Sequence, residues 1–179
     1  VPDLIVGNSM GSIVGGLYAM GYSGNRIAAI SKEANWNLLL GGKTSLKDVS
    51  IEEKSEFAKY LVDFDIRKGR PKVKSALLND QHLREFITTY THPSYSILDF
   101  DKLPIPFRAV ATDIVNGKEV ILKNGNLAIA MRASMSIPSV FKPVPYKNVL
   151  LIDGGILNNF PSDIAKKWGA DIIIGSDVG

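Results

Sequence analysis

The chain opens on a short apolar run, Leu4-Ile5-Val6, and then changes period. Beyond Gly7-Asn8-Ser9-Met10-Gly11 the apolar positions fall at helical spacing up to Met20. This predicts a buried strand over 3–6 and a helix over 10–20 that Gly21 closes. Ser23 is placed to cap a second helix ending near Ala34, with Ile27, Ile30 and Ala34 on one face. Ser50-Ile51-Glu52-Glu53 has capping-box form and starts another helix, and 60–66 alternates as a strand before a turn at 68–71. Residues 80–90 are amphipathic, with Leu83, Phe86 and Ile87 inward. Residues 107–113 form a strand, and Asn116-Gly117 predicts a two-residue hairpin turn into a strand over 118–122. A helix over 127–134 has to stop before Pro138. A strand over 149–152 runs into Asp153-Gly154-Gly155, Pro161 opens a helix to Trp168, and 171–175 reads as a last apolar strand.

Short apolar strands alternating with helices predict an α/β three-layer sandwich, a mostly parallel central sheet flanked by helices. No internal repeat, low-complexity stretch or domain boundary interrupts the pattern, so 1–179 reads as a single domain. With 179 residues, 45% of them hydrophobic, the chain can bury a sizeable core. A net charge of +3 without a basic stripe gives no footing to nucleic-acid binding. The absence of cysteine excludes disulfides, thiolate metal sites and a cysteine nucleophile. No apolar run approaches the roughly 20 residues that span a bilayer. The opening Val1-Pro2-Asp3, without Met or a leader pattern, is what the middle of a longer protein would show.

Gly7-Asn8-Ser9-Met10-Gly11 is a G-x-S-x-G placed after a predicted strand and before a predicted helix. That is the setting of a nucleophile elbow, where small flanking residues avoid clashes and the helix N-terminus faces a developing oxyanion. An ordinary strand-to-helix turn containing serine explains the same residues equally well. A nucleophilic serine needs a base. The chain has two histidines, His82 in a predicted helix and His92 just after it. A triad of Ser9, Asp63 or Asp65, and His82 has the hydrolase order but no strand-end placement, which favours a carboxylate base instead. Asp113, Asp153 and Asp177 all lie near predicted strand ends. Asp153 leads them because Gly154 and Gly155 leave its carboxylate approachable. A carboxylate base would need burial to raise its basicity and a direct bond to Ser9.

Three stretches together resemble the patatin-like phospholipase family: 7–19 around Ser9, Arg132-Ala133-Ser134-Met135-Ser136-Ile137-Pro138, and 153–161 from Asp153 to Pro161. The likeness covers nearly all the chain, including Ala111-Thr112-Asp113. It implies a Ser-Asp dyad, with Ser9 as nucleophile and Asp153 as general base, that hydrolyses phospholipid or other lipid esters through an acyl-serine. Gly7, Met10, Gly11, Gly154 and Gly155 would support the elbow and the oxyanion. The dyad chemistry implies no metal or other cofactor. The family's upstream glycine-rich oxyanion loop is not in this stretch of sequence, so a truncated domain is expected. The alternative is a non-catalytic patatin-like scaffold that binds lipid or a partner. Within the family the likeness leans to bacterial members that precede an outer-membrane barrel, which implies a secreted or outer-membrane-associated parent. The segment 36–40, one indole and three leucines, is either a core anchor or a peripheral membrane contact, the anchor being favoured. A sheet without its first strand would also expose an edge open to homodimer pairing.

Overall fold

The computed structural model describes residues 1–40, 65–67, 70–72, 80–138 and 140–177. β1 (Ile5–Asn8) runs into α1 (Met10–Ala19), followed by α2 (Gly24–Glu33) and the short α3 (Trp36–Leu39). A two-stranded antiparallel ribbon, β2 (Asp65–Arg67) and β3 (Arg70–Lys72), precedes α4 (Gln81–Thr91). Then come β4 (Phe107–Asp113), β5 (Lys118–Leu122), α5 (Leu127–Ser134), β6 (Val144–Tyr146), β7 (Val149–Asp153) and α6 (Ser162–Lys167). Local chemistry fixes several of these ends. The side chains of Ser23 and Asn126 accept the backbone N–H of Arg26 and Ile129, at 3.2 and 3.1 Å. Gly21, at φ +102°, lets the chain leave α1. The helix expected from Ser50 lies outside the described residues, as does most of the strand expected over 60–66.

The central sheet is mixed, with helices on both faces. β4 is buried along its whole length and β5 pairs antiparallel along one of its edges. The other edge is shared. β1 pairs parallel with its first half, ending at Asn8 opposite Val110, and β7 pairs antiparallel with its second half, ending at Asp153 opposite Ala111. The two strands run towards each other along one edge and stop on adjacent rungs. Neither can continue, because the next position belongs to the other. The chain therefore has to turn out of the sheet at Ser9 and again at Gly154.

Phe107, Ala109, Ala111 and Leu151 point into one core with Ile13, Leu17, Leu83, Ile87, Met131 and Ala133. Each large side chain buried there contributes on the order of 1.5–3 kcal/mol. A Cβ on Gly16 would lie within 2.1 Å of Met131 Cε, and one on Gly15 within 2.9 Å of Ile5 Cγ2. These glycines let α1 lie directly on β1 and α5. On the other face α6 covers β1, and the Arg108 guanidinium sits 3.8 Å from the Trp168 ring centroid. Arg108 also grips Asp101 through both its terminal nitrogens, at 2.5 and 2.9 Å.

Three expectations are corrected. The β4–β5 connection has four residues, 114–117, not two. Asp113 accepts the N–H groups of Val115 and Asn116 and so builds a longer turn, which Gly117 completes at φ +62°. β6 was not expected: it pairs with β7 through a two-residue Lys147-Asn148 turn, with Lys147 at φ +52°. Its Pro145 is tolerated because β6 is the sheet edge. Residues 171–177 form no strand, and Ile172 and Ile174 are 85% and 95% exposed. A strand needs a pairing strand beside it, and no described strand pairs with this segment. No described helix is long and apolar enough to cross a membrane.

The head-on meeting of β1 and β7 makes position 154 intolerant of any side chain. A Cβ there would lie 2.6 Å from the Val110 carbonyl oxygen and 2.5 Å from Asn8 Oδ1. Gly154→Ala is expected to cost about 1–3 kcal/mol. Thermal denaturation checks this as a Tm drop of about 2–4 °C per kcal/mol.

Candidate active site

Ser9 is the residue where β1 has to leave the sheet. Its backbone sits at φ 52°, ψ −125°, a strained region for a residue with a side chain, costing about 1–3 kcal/mol. Three contacts over-determine that turn. The Ser9 N–H donates to Ser134 Oγ at 3.0 Å, and the Ser9 carbonyl accepts both the N–H and the hydroxyl of Ser12, at 2.9 and 2.7 Å. Gly7 is required one turn back, since a Cβ there would lie 2.5 Å from the Gly11 carbonyl oxygen. Gly11 is not required for space: a Cβ on it would meet nothing within 4 Å. The expectation that both flanking glycines relieve clashes holds for Gly7 alone.

The Ser9 hydroxyl does not cap α1. It donates to Asp153 Oδ2 at 2.5 Å, within the range of a strong bond to a carboxylate. Met10, the first residue of α1, puts its N–H beside Ser9 at the positive end of the helix, where the helical ladder leaves N–H groups unused.

Asp153 is held as firmly as Ser9. Its N–H donates to the Ser136 carbonyl at 3.0 Å, and its Oδ1 accepts the Gly155 N–H at 2.8 Å. Burial pushes its pKa above the ordinary carboxylate value, outweighing the opposite pull of the bonds from Ser9 and Gly155. Gly155 is also close-packed, with a Cβ there falling 2.8 Å from Asn159 Oδ1. Asn8 Nδ2 ties the elbow to this loop through the Asn158 carbonyl and Asn159 Oδ1, at 3.3 and 3.4 Å. Asn8 Oδ1 is buried without a hydrogen-bond partner among the described residues.

The remaining candidates lie elsewhere. His82 is half exposed on α4, 3.7 Å from Glu85, and His92 stacks on Tyr95 at the protein surface. Asp113 spends its carboxylate on the β4–β5 turn. Burial alone would raise its pKa, but the bonds from Asn116 and Val115, with Lys118 nearby, hold it below the usual value. Asp63 lies outside the described residues, Asp65 begins β2, and Asp177 belongs to the exposed segment after α6. Trp36 is half-buried, its indole N–H donating to the Ser31 carbonyl at 2.8 Å and its ring facing Phe86, while Leu39 is buried and Leu38 exposed.

The site thus brings together a serine hydroxyl on a strained turn at the start of a helix and the buried carboxylate it is bonded to. The family model for patatin-like phospholipases matches residues 1–166. The chain belongs to the patatin-like phospholipase family. It is 32% identical over 181 residues to an uncharacterized NTE family protein of Mycobacterium tuberculosis, covering 98% of this chain and 42% of that protein. It is 28% identical over 183 residues to the lysophospholipase NTE1 of Meyerozyma guilliermondii (99% and 10%). It is also 28% identical over 180 residues to patatin-like phospholipase domain-containing protein 6 of Mus musculus (99% and 11%). The chain thus spans less than half the length of these relatives. For this patatin-like domain, sequence reasoning missed what Arg132, Ser134 and Ser136 hold. Their motif was visible, but their partners are distant in sequence.

Two outcomes follow from this packing. Gly7→Ala should lower Tm by several degrees, through an overpacking cost of about 1–3 kcal/mol. Gly11→Ala, exposed and helical, should leave Tm level or raise it slightly, by up to about 1 kcal/mol of stability. Asp153→Asn should raise Tm at pH 7. The raised native pKa means that the folded chain keeps the Asp153 proton to a higher pH than the unfolded chain does. Wild-type stability therefore falls as pH rises from the ordinary carboxylate value through the raised one. The advantage of the variant should vanish below about pH 4, where both states are protonated. Melting curves at both pH values check the sign.

Proposed function

We propose that this chain is a serine acyl hydrolase that cleaves ester bonds of phospholipids or other lipids through a Ser9–Asp153 dyad. The observation that carries this reading is the 2.5 Å bond from Ser9 Oγ to a buried carboxylate, with both histidines on the surface. Family membership and the lysophospholipase among the relatives support a lipid ester as substrate.

Asp153 Oδ2 takes the Ser9 proton as Oγ attacks the ester carbonyl carbon. The carbonyl oxygen becomes an oxyanion beside the Met10 N–H and the N-terminus of α1. As the tetrahedral intermediate collapses, the bond to the leaving alcohol breaks and Asp153 returns the proton to that alcohol. An acyl group remains on Ser9. Water then attacks the acyl-serine, giving its proton to Asp153, and the carboxylic acid departs as the Ser9 hydroxyl re-forms. Burial serves this cycle by making the carboxylate a better proton acceptor than an exposed aspartate.

Fluorophosphonate labelling and lysophospholipid hydrolysis test the proposal. Ser9→Ala should abolish both, and Asp153→Asn should lower turnover by about 10²–10⁴-fold. His82→Ala should match wild type. The acid limb of the wild-type pH–rate profile should sit above the ordinary carboxylate value, because the working form of Asp153 is the ionised one. Activity lost in His82→Ala but kept in Asp153→Asn would replace the dyad with a histidine-based hydrolase. No labelling of the intact protein would point to a scaffold.

A further inference from the structure

We infer that Arg132 is a positioning residue for the dyad, clamping the end of α5 so that Ser134 and Ser136 fix where Ser9 and Asp153 meet. The inference rests on the reading of Asp153 as the base. Sheet register brings β1 and β7 to adjacent rungs, but a 2.5 Å bond needs tighter control than the strand ends provide. Beyond the last rungs, both chains hang on one short stretch. Ser134 Oγ accepts the Ser9 N–H at 3.0 Å, and the Ser136 carbonyl accepts the Asp153 N–H at 3.0 Å. Displacing that stretch would displace the nucleophile and the base relative to each other.

The stretch is where a helix ends. Met135 already departs from helical geometry at φ −102°, ψ 17°, and the Ser136 N–H falls back on the Ala133 carbonyl. Arg132 supplies the missing constraint. It is 3% exposed, with its guanidinium 4.8 Å from the Phe141 ring centroid. Nη1 donates to Ser136 Oγ at 2.6 Å, while Nε and Nη2 both donate to Asp80 Oδ2, at 3.0 and 2.8 Å. Ser136 Oγ in turn donates to the Arg132 carbonyl at 2.9 Å. One rigid fork therefore ties the end of α5 to Asp80, at the start of α4, and to the residue that carries Asp153. A buried charge is costly to keep, and a lysine could not span both partners at once.

Arg132→Lys, Ser136→Ala and Arg84→Gln in the intact protein test this, assayed on a soluble p-nitrophenyl ester with Tm recorded for each. Arg132→Lys keeps a cation for Asp80 but should lower kcat about 10–100-fold, with KM within about twofold. Ser136→Ala removes the hydroxyl but leaves the carbonyl on Asp153, and should show a smaller loss of the same kind. In both, the acid limb should move to higher pH, because a looser Ser9 bond lowers the Asp153 pKa less. Arg84 approaches Asp80 from the exposed side at 3.7 Å, so Arg84→Gln should keep wild-type kcat and limb. If Arg132→Lys and Ser136→Ala lose Tm but keep wild-type kcat and acid limb, the inference is overturned. Should Arg132→Lys fail to fold, the kcat and limb of Ser136→Ala decide. Full activity in Asp153→Asn would instead sink the underlying base assignment, a result separable from any of these.

Discussion

Two strands compete for one edge of β4, and the rest of the site follows from how that competition ends. β1 and β7 arrive from opposite directions and stop at Val110 and Ala111, so each must leave the sheet abruptly. On the β1 side the exit forces Ser9 into a strained turn, and on the β7 side it leaves room only for glycine at 154. The same geometry that strains the backbone aims a hydroxyl and a carboxylate at each other. Strain at such a place is sustained because the surrounding bonds over-determine it.

The electrostatics of the pair are a balance between burial and hydrogen bonding. Burial raises the Asp153 pKa, whereas the Ser9 hydroxyl and the Gly155 N–H favour its ionised form. A fully desolvated carboxylate would hold its proton at neutral pH and could not accept another. An exposed one would ionise readily but be a weak base. The Ser9 and Gly155 bonds, at 2.5 and 2.8 Å, favour the ionised form against burial, which is the balance the proposed dyad would need of its base.

Much of the frame was legible because its signals are local. The seven-residue strand at 107–113 and the helix over 127–134 announce themselves by apolar runs and flanking caps. The elbow and Asp153-Gly154-Gly155 stood out for the same reason, as small residues at predicted strand ends. What escaped depends on pairings the local pattern does not carry. Pro145 and the Lys147-Asn148 turn disguised the β6–β7 hairpin. Ile172-Ile173-Ile174 has strand composition without a neighbouring strand to realise it. The clamp on α5 joins Arg132 to an aspartate 52 positions earlier. Gly11 was misjudged because open space beside a Cα has no sequence signature.

The Ser9–Asp153 bond joins residues 144 positions apart, and its support at the Ser9 backbone comes from 125 positions away. No fragment or half-folded intermediate that lacks β1, α5 or β7 can contain it. On the unfolded chain Ser9 is thus an ordinary serine, and it gains its carboxylate partner only when β7 docks. In the proposed reading, chemical competence and native topology arrive together, so a serine-directed reagent would report on the fold.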